Sequence, residues 1–283
     1  MPISAIGAVE KLTAQLDSNN IVQYQLPLAA INDDGEQQSI DLNPLIGKEL
    51  TLHFHSKIAC KHCGKTTKKS YSQGFCYPCM TKLAQCDMCI MKPETCHHHL
   101  GTCREPEWGV KHCMVDHYVY LSNTSALKVG ITRHTQLPTR WIDQGATQAL
   151  PIFKVSTRLQ SGLVETALAE FISDKTNWRA MLKGSNEPID LKVKAAELIP
   201  QIEQRLADVA LKFGSDAVQI LDEEMVEINY PVSEYLTKIS SFNFDKTPIV
   251  SGILLGIKGQ YLIFEQGVIN MRKFSSYQIS VEY

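Results

Sequence analysis

Two cysteine pairs at fixed spacing constrain this chain more than any other feature. Cys60-Lys-His-Cys63 and Cys76-Tyr-Pro-Cys79 are separated by twelve residues, and Gly64 directly follows the first pair. Each pair can bend two thiolates toward one point, and together they offer the four soft ligands of a tetrahedral zinc ion. Gly64 supplies the backbone freedom that a tight turn needs. A closed site of four cysteines leaves no open position for water or substrate, so its zinc is expected to be structural, in a zinc ribbon. The other use of four such cysteines is as disulfides, which a reducing cytosol disfavours.

The cysteines continue as Cys86-Asp-Met-Cys89, Cys96, Cys103 and Cys113, interspersed with His97, His98, His99, His112 and His117. One tetrahedral ion cannot use so many ligands, so a second metal site is expected, giving one or two structural zinc ions. Its ligand set stays open. Cys96, Cys103, Cys113 and His117 make one local set, Cys86 and Cys89 contribute a knuckle to another, and four thiolates can also hold an iron–sulfur cluster. At most one of the three successive histidines is expected to coordinate. His117 abuts Tyr118, so closing a site there would lock the entry to the next strand.

With 283 residues and 44% hydrophobic content the chain can bury a sizeable core in two or three domains. No apolar run approaches the roughly 18 residues of a membrane span. The start MPISAIGAVEKL lacks a basic stretch followed by a long apolar one, so a cytoplasmic chain with no membrane partner is expected. The formal charge of −2 is unevenly spread: −5 over residues 1–55, +7 over 56–140, zero over 141–179 and −4 over 180–283. Phosphate neutralisation dominates nucleic-acid affinity. Lys65, Lys68 and Lys69 therefore either meet a nucleic acid or merely solubilise a zinc module.

Residues 1–55 carry two alternating runs, Ile21–Leu28 and Glu49–His55, around an Asp33-Asp34-Gly35 turn. Alternation predicts antiparallel strands with Leu50, Leu52 and Phe54 inward and His53 and His55 outward. Tyr118-Val-Tyr-Leu121 and Leu127-Lys-Val-Gly-Ile131, joined by Ser-Asn-Thr-Ser, predict a β-hairpin. Pro138 opens a short helix bearing Arg140, and Pro151–Ser156 is a third strand. Ser161 is the expected N-cap of a helix bearing Glu165, with Val164, Leu168, Phe171 and Ile172 toward the core. Residues 190–213 are helical, capped by Asp190, stopped by Gly214 and interrupted at Pro200. The tail alternates over Glu227–Tyr230, Ile249–Leu255, Gln260–Phe264 and Gln278–Val281, as in a small antiparallel barrel. Phe242, Phe244, Tyr261 and Phe264 are expected in its core rather than as base-stacking platforms.

The unit from Tyr118 to Phe171 thus gathers a tyrosine, a lysine, an arginine and a carboxylate, groups suited to phosphodiester cleavage. On these residues it resembles the GIY-YIG endonuclease superfamily over about residues 117–180. Tyr118-Val119-Tyr120 stands for the first triplet and Lys128-Val129-Gly130 for the second, with Tyr118 and Lys128 departing from its glycine and tyrosine. The resemblance implies that Tyr120 is the general base and that Lys128 lowers its pKa or contacts phosphate. It also implies that Arg140 grips phosphate and that Glu165 holds Mg or Mn. Arg133, Arg158 and Asn177 are secondary candidates, Arg133 and Arg158 for contact with nucleic acid. The flanking blocks resemble an uncharacterised bacterial family with cysteines before this unit and a β-rich tail after it.

The expected whole is an α+β chain. It has an N-terminal β segment (1–55), a Cys/His zinc-ribbon module (56–116), a GIY-YIG-like hairpin-plus-helices domain (117–184), and a helical linker with a C-terminal β-rich, barrel-like domain (185–283). The implied function is metal-dependent hydrolysis of DNA or RNA, and the alternative is a non-catalytic zinc protein that binds nucleic acid or regulates. The sequence does not set its oligomeric state.

Overall fold

A computed structural model describes residues 4–31, 37–184 and 187–283. The expected Asp33-Asp34-Gly35 turn lies outside them. In chain order come β1 (Ser4–Val9), β2 (Thr13–Leu16), β3 (Val22–Ala29), β4 (Gln38–Asp41), β5 (Glu49–Ile58), α1 (Tyr77–Lys82) and α2 (Pro106–His112). Next are β6 (His117–Asn123), β7 (Leu127–Arg133), α3 (Thr139–Asp143), β8 (Gln148–Val155), α4 (Arg158–Leu168) and α5 (Trp178–Met181). Then follow α6 (Leu191–Leu198), α7 (Glu203–Phe213), β9 (Val218–Ile220), β10 (Val226–Glu227), β11 (Ile249–Lys258), β12 (Tyr261–Phe264), β13 (Gly267–Asn270) and β14 (Tyr277–Glu282). These elements fall into two compact units, one of residues 1–81, 182–184 and 229–283, the other of 82–181 and 185–228.

The first unit is a curled antiparallel half-barrel. Its strands run β13-β12-β11-β5-β14-β1-β3-β2, with β4 on β3. Both ends of the chain pair directly, Ser4 with Glu282 through Ala8 with Gln278. The segment 1–55 and the C-terminal strands, separate in sequence order, therefore share one sheet. The reason lies in β5, whose Leu50, Leu52, Phe54 and Ile58 are buried while His53 and His55 face outward. A few strands alone cannot cover such a face, and β5 is flanked by β11 and β14. Each fully buried leucine contributes about 1.5–3 kcal/mol. Phe244 and Phe264 are core residues, while Phe242 and Tyr261 are half-buried.

The second unit is built on a sheet ordered β10-β8-β6-β7, with β9 also on β8. Val119, Leu121, Val129, Leu150, Ile152 and Phe153 of this sheet pack against Val164 and Leu168 of α4 and Leu191 and Leu198 of α6. The N-cap of α4 is Thr157 rather than Ser161. Thr157 and Gln160 form a reciprocal capping box, leaving Ser161 buried in the first turn with its hydroxyl donating to the Arg158 carbonyl at 2.8 Å. Phe171 lies beyond the end of α4 and is exposed, against expectation. Asp190 caps α6, accepting from the Val193 N–H at 3.0 Å. Pro200 sits in a short turn of 199–202 that separates α6 from α7. The expected strand over Glu227–Tyr230 is limited to β10, which pairs with β8 rather than with the C-terminal strands. Among the described residues no helix is long and apolar enough to cross a membrane.

Candidate functional site

In the first unit Cys60, Cys63, Cys76 and Cys79 converge, all four sulfurs lying within 4.8 Å of one another. The chain reaches this geometry through two local turns. Cys60 N–H bonds to the Lys65 carbonyl and Gly64 N–H returns to the Cys60 carbonyl, with Gly64 at φ +70°. Cys76 precedes α1, and Cys79 sits in that helix's first turn. The Cys63 and Cys76 sulfurs are 3.7 Å apart. Four sulfurs about 2.3 Å from one zinc ion would be roughly 3.8 Å apart, whereas a disulfide would need about 2.05 Å. The spacing fits a metal and excludes a bond between those two thiols. Burial opposes ionisation of Cys60, but N–H groups of Cys63, Cys76 and His62 outweigh it and bring the thiol down to about 6. The cluster therefore supports a possible zinc site.

In the second unit, the hairpin places Tyr120 opposite Gly130 and Ser122 opposite Lys128, so Tyr120 and Lys128 share one face. Both are buried, at 0% and 3% exposure. The Tyr120 hydroxyl donates to Gln144 Oε1 at 2.9 Å, and Lys128 Nζ donates to the same oxygen at 3.3 Å and to Thr176 Oγ1 at 3.4 Å. The register of β6 on β8 shifts between Val119 and Tyr120, where Pro151 is the partner and has no N–H for the ladder. The charges of Arg140, from α3, and of Glu165, two turns into α4, act on both Tyr120 and Lys128. Tyr120 and Lys128 thus meet at Gln144, within the electrostatic reach of Arg140 and Glu165.

Burial dominates the protonation of this cluster. It pushes Glu165 up to about 7 against the opposing charges of Arg140 and Lys128. It pushes Lys128 down to about 8, aided by Arg140 and opposed by Glu165. Tyr120 goes up to about 12, burial again outweighing Arg140. Lys128 was expected to lower the Tyr120 pKa or to contact phosphate; of the influences on the hydroxyl, desolvation of a buried phenolate is the largest, and it acts upward.

The secondary candidates divide. Lys65, Lys68 and Lys69 are exposed around the cysteine turns. Arg133 ends β7 half-buried, its pKa lowered by burial and then by Arg158. Arg158, expected to meet nucleic acid, donates to the Cys89 carbonyl at 3.3 Å and the Ile90 carbonyl at 2.7 Å. Its guanidinium holds a loop. Asn177 Oδ1 accepts from the Ala180 N–H at 3.2 Å, stabilising the start of α5.

Of the remaining cysteines, Cys89, Cys96 and Cys113 are buried together with Leu159, and Trp108 packs on them. Cys103 donates to the Glu105 carbonyl at 3.5 Å, and Cys86 ends a short turn of 84–86. Asp87, Cys89 and His97 also bring one ligand atom each within 4.8 Å. His117 is fully buried, with Nδ1 at 2.7 Å from the Val115 carbonyl and Nε2 without a hydrogen-bond partner. Burial holds it down to about 4.

Sequence reasoning missed Gln144 and Thr176. Neither belongs to a recognisable pattern: Gln144 follows the last residue of α3, and only the tertiary structure brings it to the tyrosine and lysine. No curated protein and no solved structure matches the chain. Residues 47–279, most of its length, match the family model described as a protein of unknown function, DUF2797, and the chain belongs to that family.

Proposed function

We propose that the protein hydrolyses phosphodiester bonds in nucleic acid, using the cluster of Tyr120, Lys128, Arg140 and Glu165 as a divergent GIY-YIG-like centre. The observation that carries this reading is that Tyr120 and Lys128 share Gln144 Oε1 while the charges of Arg140 and Glu165 act on both, with Lys128 and Glu165 driven by burial toward neutral-range pKa values. A Mg or Mn ion suits a site with one or two carboxylates that leaves room for water and phosphate oxygens. Glu165, with the Asp174 charge beside it, offers that donor set. When bound, the ion would stabilise charge on the leaving oxygen.

The chain's own groups divide the remaining work. Arg140 meets phosphate oxygens in a planar fork. Tyr120 keeps its proton and donates, positioning Gln144. Lys128, down to about 8, is the group able to exchange a proton with the attacking water near neutral pH. The exposed Lys65, Lys68 and Lys69 add electrostatic attraction for nucleic acid, and zinc at Cys60, Cys63, Cys76 and Cys79 keeps their turns folded.

A second reading, a non-catalytic nucleic-acid platform, is favoured by the complete burial of Tyr120. The deciding experiment is a cleavage assay with Mg or Mn on branched, nicked, single- and double-stranded DNA and RNA. It compares the wild type with Glu165→Ala and Lys128→Arg. Metal-dependent cutting lost in both variants supports hydrolysis with Lys128 as the proton carrier. Binding without cutting by the wild type moves the weight to the platform.

A further inference from the structure

Gln278 of β14 stands directly opposite Ala8 of β1, and Ala8 opposite Ala29 of β3, so these three side chains line one face of the sheet in a row. Ile279 and Val281, the alternate positions of β14, are in the core, so the row faces away from it. Gln278 is nevertheless only 6% exposed, and it opens onto a cavity bordered by Ala59, Cys60 and Gly64 of the cysteine turns. Among the described residues its side-chain amide has no hydrogen-bond partner. Residues 55–57 of β5 stand across from Gln278 alone, since Tyr277 pairs with Ile58 and Ile279 with Phe54. Irregularities of this kind re-aim a side chain. An amide buried without a partner is costly, and a native chain that keeps one calls for something to complete it.

The cavity has a volume of about 790 Å³, within the roughly 300–1,000 Å³ of small-molecule sites. Ala8 and Ala29 give it a flat apolar floor beside the amide, and its border carries Lys11, Lys61 and Arg272 against one carboxylate, Glu10. The basic wall is held in place. Arg272 Nε donates to Gln73 Oε1 at 2.5 Å, Lys61 Nζ lies 4.3 Å above the Phe75 ring, and the Lys61 N–H bonds to the Gly74 carbonyl at 2.8 Å. Ser276 Oγ donates to that same carbonyl at 3.0 Å, and the Ser276 N–H to the Val9 carbonyl at 2.7 Å. Gln73 and Ser276 take left-handed backbone, at φ +65° and +76°, which persists in such residues only where the surroundings enforce it.

We propose that this cavity binds a nucleotide, with the edge of the base on the Gln278 amide, its face over Ala8 and Ala29, and its phosphate toward Lys61 and Arg272. An amide presents a donor and an acceptor side by side, the pattern that a nucleobase edge returns. A guanidinium beside an ammonium suits a phosphate, and the single Glu10 carboxylate leaves the border positive. Inorganic phosphate would leave the amide and the floor unused. A free nucleotide and the end of a strand share this chemistry. The site shares no residue with the Tyr120 cluster, and the inference does not rest on the phosphodiester reading.

The test is calorimetric titration of the full-length chain, purified with zinc, with AMP, GMP, CMP and UMP, with inorganic phosphate, and with a 5′-phosphorylated single-stranded oligonucleotide. The expected result is one saturable site per chain, with inorganic phosphate binding more weakly than the nucleotide. Affinity should fall about tenfold in Gln278→Leu, which removes one paired amide. It should be lost in Ala8→Leu, whose side chain fills the floor. Binding of mononucleotides that responds to these variants assigns the site to a free nucleotide, and the same response for the oligonucleotide alone assigns it to the end of a strand. Should Gln278→Leu fail to fold, Ala8→Leu and the exposed Lys61→Gln decide. Saturation by none of the nucleotide probes, phosphate binding as tightly as any of them, or equal affinity of the wild type and the folded variants would each overturn the proposal.

Discussion

Tyr120 lies across Gly130. The two residues face each other in the β6–β7 ladder, and a Cβ at position 130 would stand 2.7 Å from the tyrosine hydroxyl oxygen and ring carbon. Glycine is required there by the ring, since its backbone conformation is ordinary. The pairing of Tyr120 with Gly130 is therefore a packing relation across a hairpin.

Gly130→Ala should displace the Tyr120 ring and its bond to Gln144. Overpacking of this kind costs about 1–3 kcal/mol. The expected outcome is a lower urea midpoint with an unchanged slope, and an unchanged midpoint would show that the ring can move freely.

Glu165 gives the protein a specific pH response. Its folded pKa, about 7, lies above the ordinary 4.5, so the folded state holds the proton more tightly. Its stabilising contribution is complete below pH 4.5 and is lost as pH rises through 7. The wild type should lose stability relative to Glu165→Gln between those values and run parallel to it above them. Denaturant titrations of both proteins from pH 4 to 8 measure the difference, and parallel curves throughout would remove Glu165 from the buried cluster.

His117 works in the opposite direction. Its pKa is held near 4 by burial, below the ordinary 6.5. The neutral ring's contribution is present above 6.5 and is lost as pH falls toward 4. An NMR titration should find His117 neutral at pH 5.5, and protonation near 6.5 would show that water reaches Nε2.

Arg158 and the lysine group should part in a binding experiment. Replacing Lys65, Lys68 and Lys69 by alanine should weaken nucleic-acid binding. The slope of log affinity against log salt should fall by up to about 0.9 for each lysine that meets a phosphate. Arg158→Ala should leave that slope alone and destabilise the fold by about 1–3 kcal/mol, because two partly buried carbonyls lose a charged donor.

If the Cys60 cluster holds zinc, chelation should lower the melting temperature, since a four-thiolate site gives its binding energy to folding. Calorimetry with and without chelator is the check. An unchanged profile would mean that hydrogen bonds alone hold the turns.

Much of this molecule was legible in local spacing. The paired cysteines, the hairpin, the alternation of Leu50, Leu52 and Phe54, and the capping of α6 by Asp190 depend on residues close in the chain, whose turn and strand geometry is set by short-range sterics. The cap of α4 is local as well: the Thr157–Gln160 pair, one turn before Ser161, carries the capping box.

Local pattern by itself determined which segments turn, pair or coil, and that four cysteines converge. Only the tertiary structure decided that the first and last strands share a sheet, that Arg158 serves a loop, and that Gln144 joins Tyr120 to Lys128. It also decided the protonation of that cluster. Desolvation depends on everything packed around a side chain, much of it distant in sequence, so burial could raise the Tyr120 pKa where a neighbouring lysine was expected to lower it.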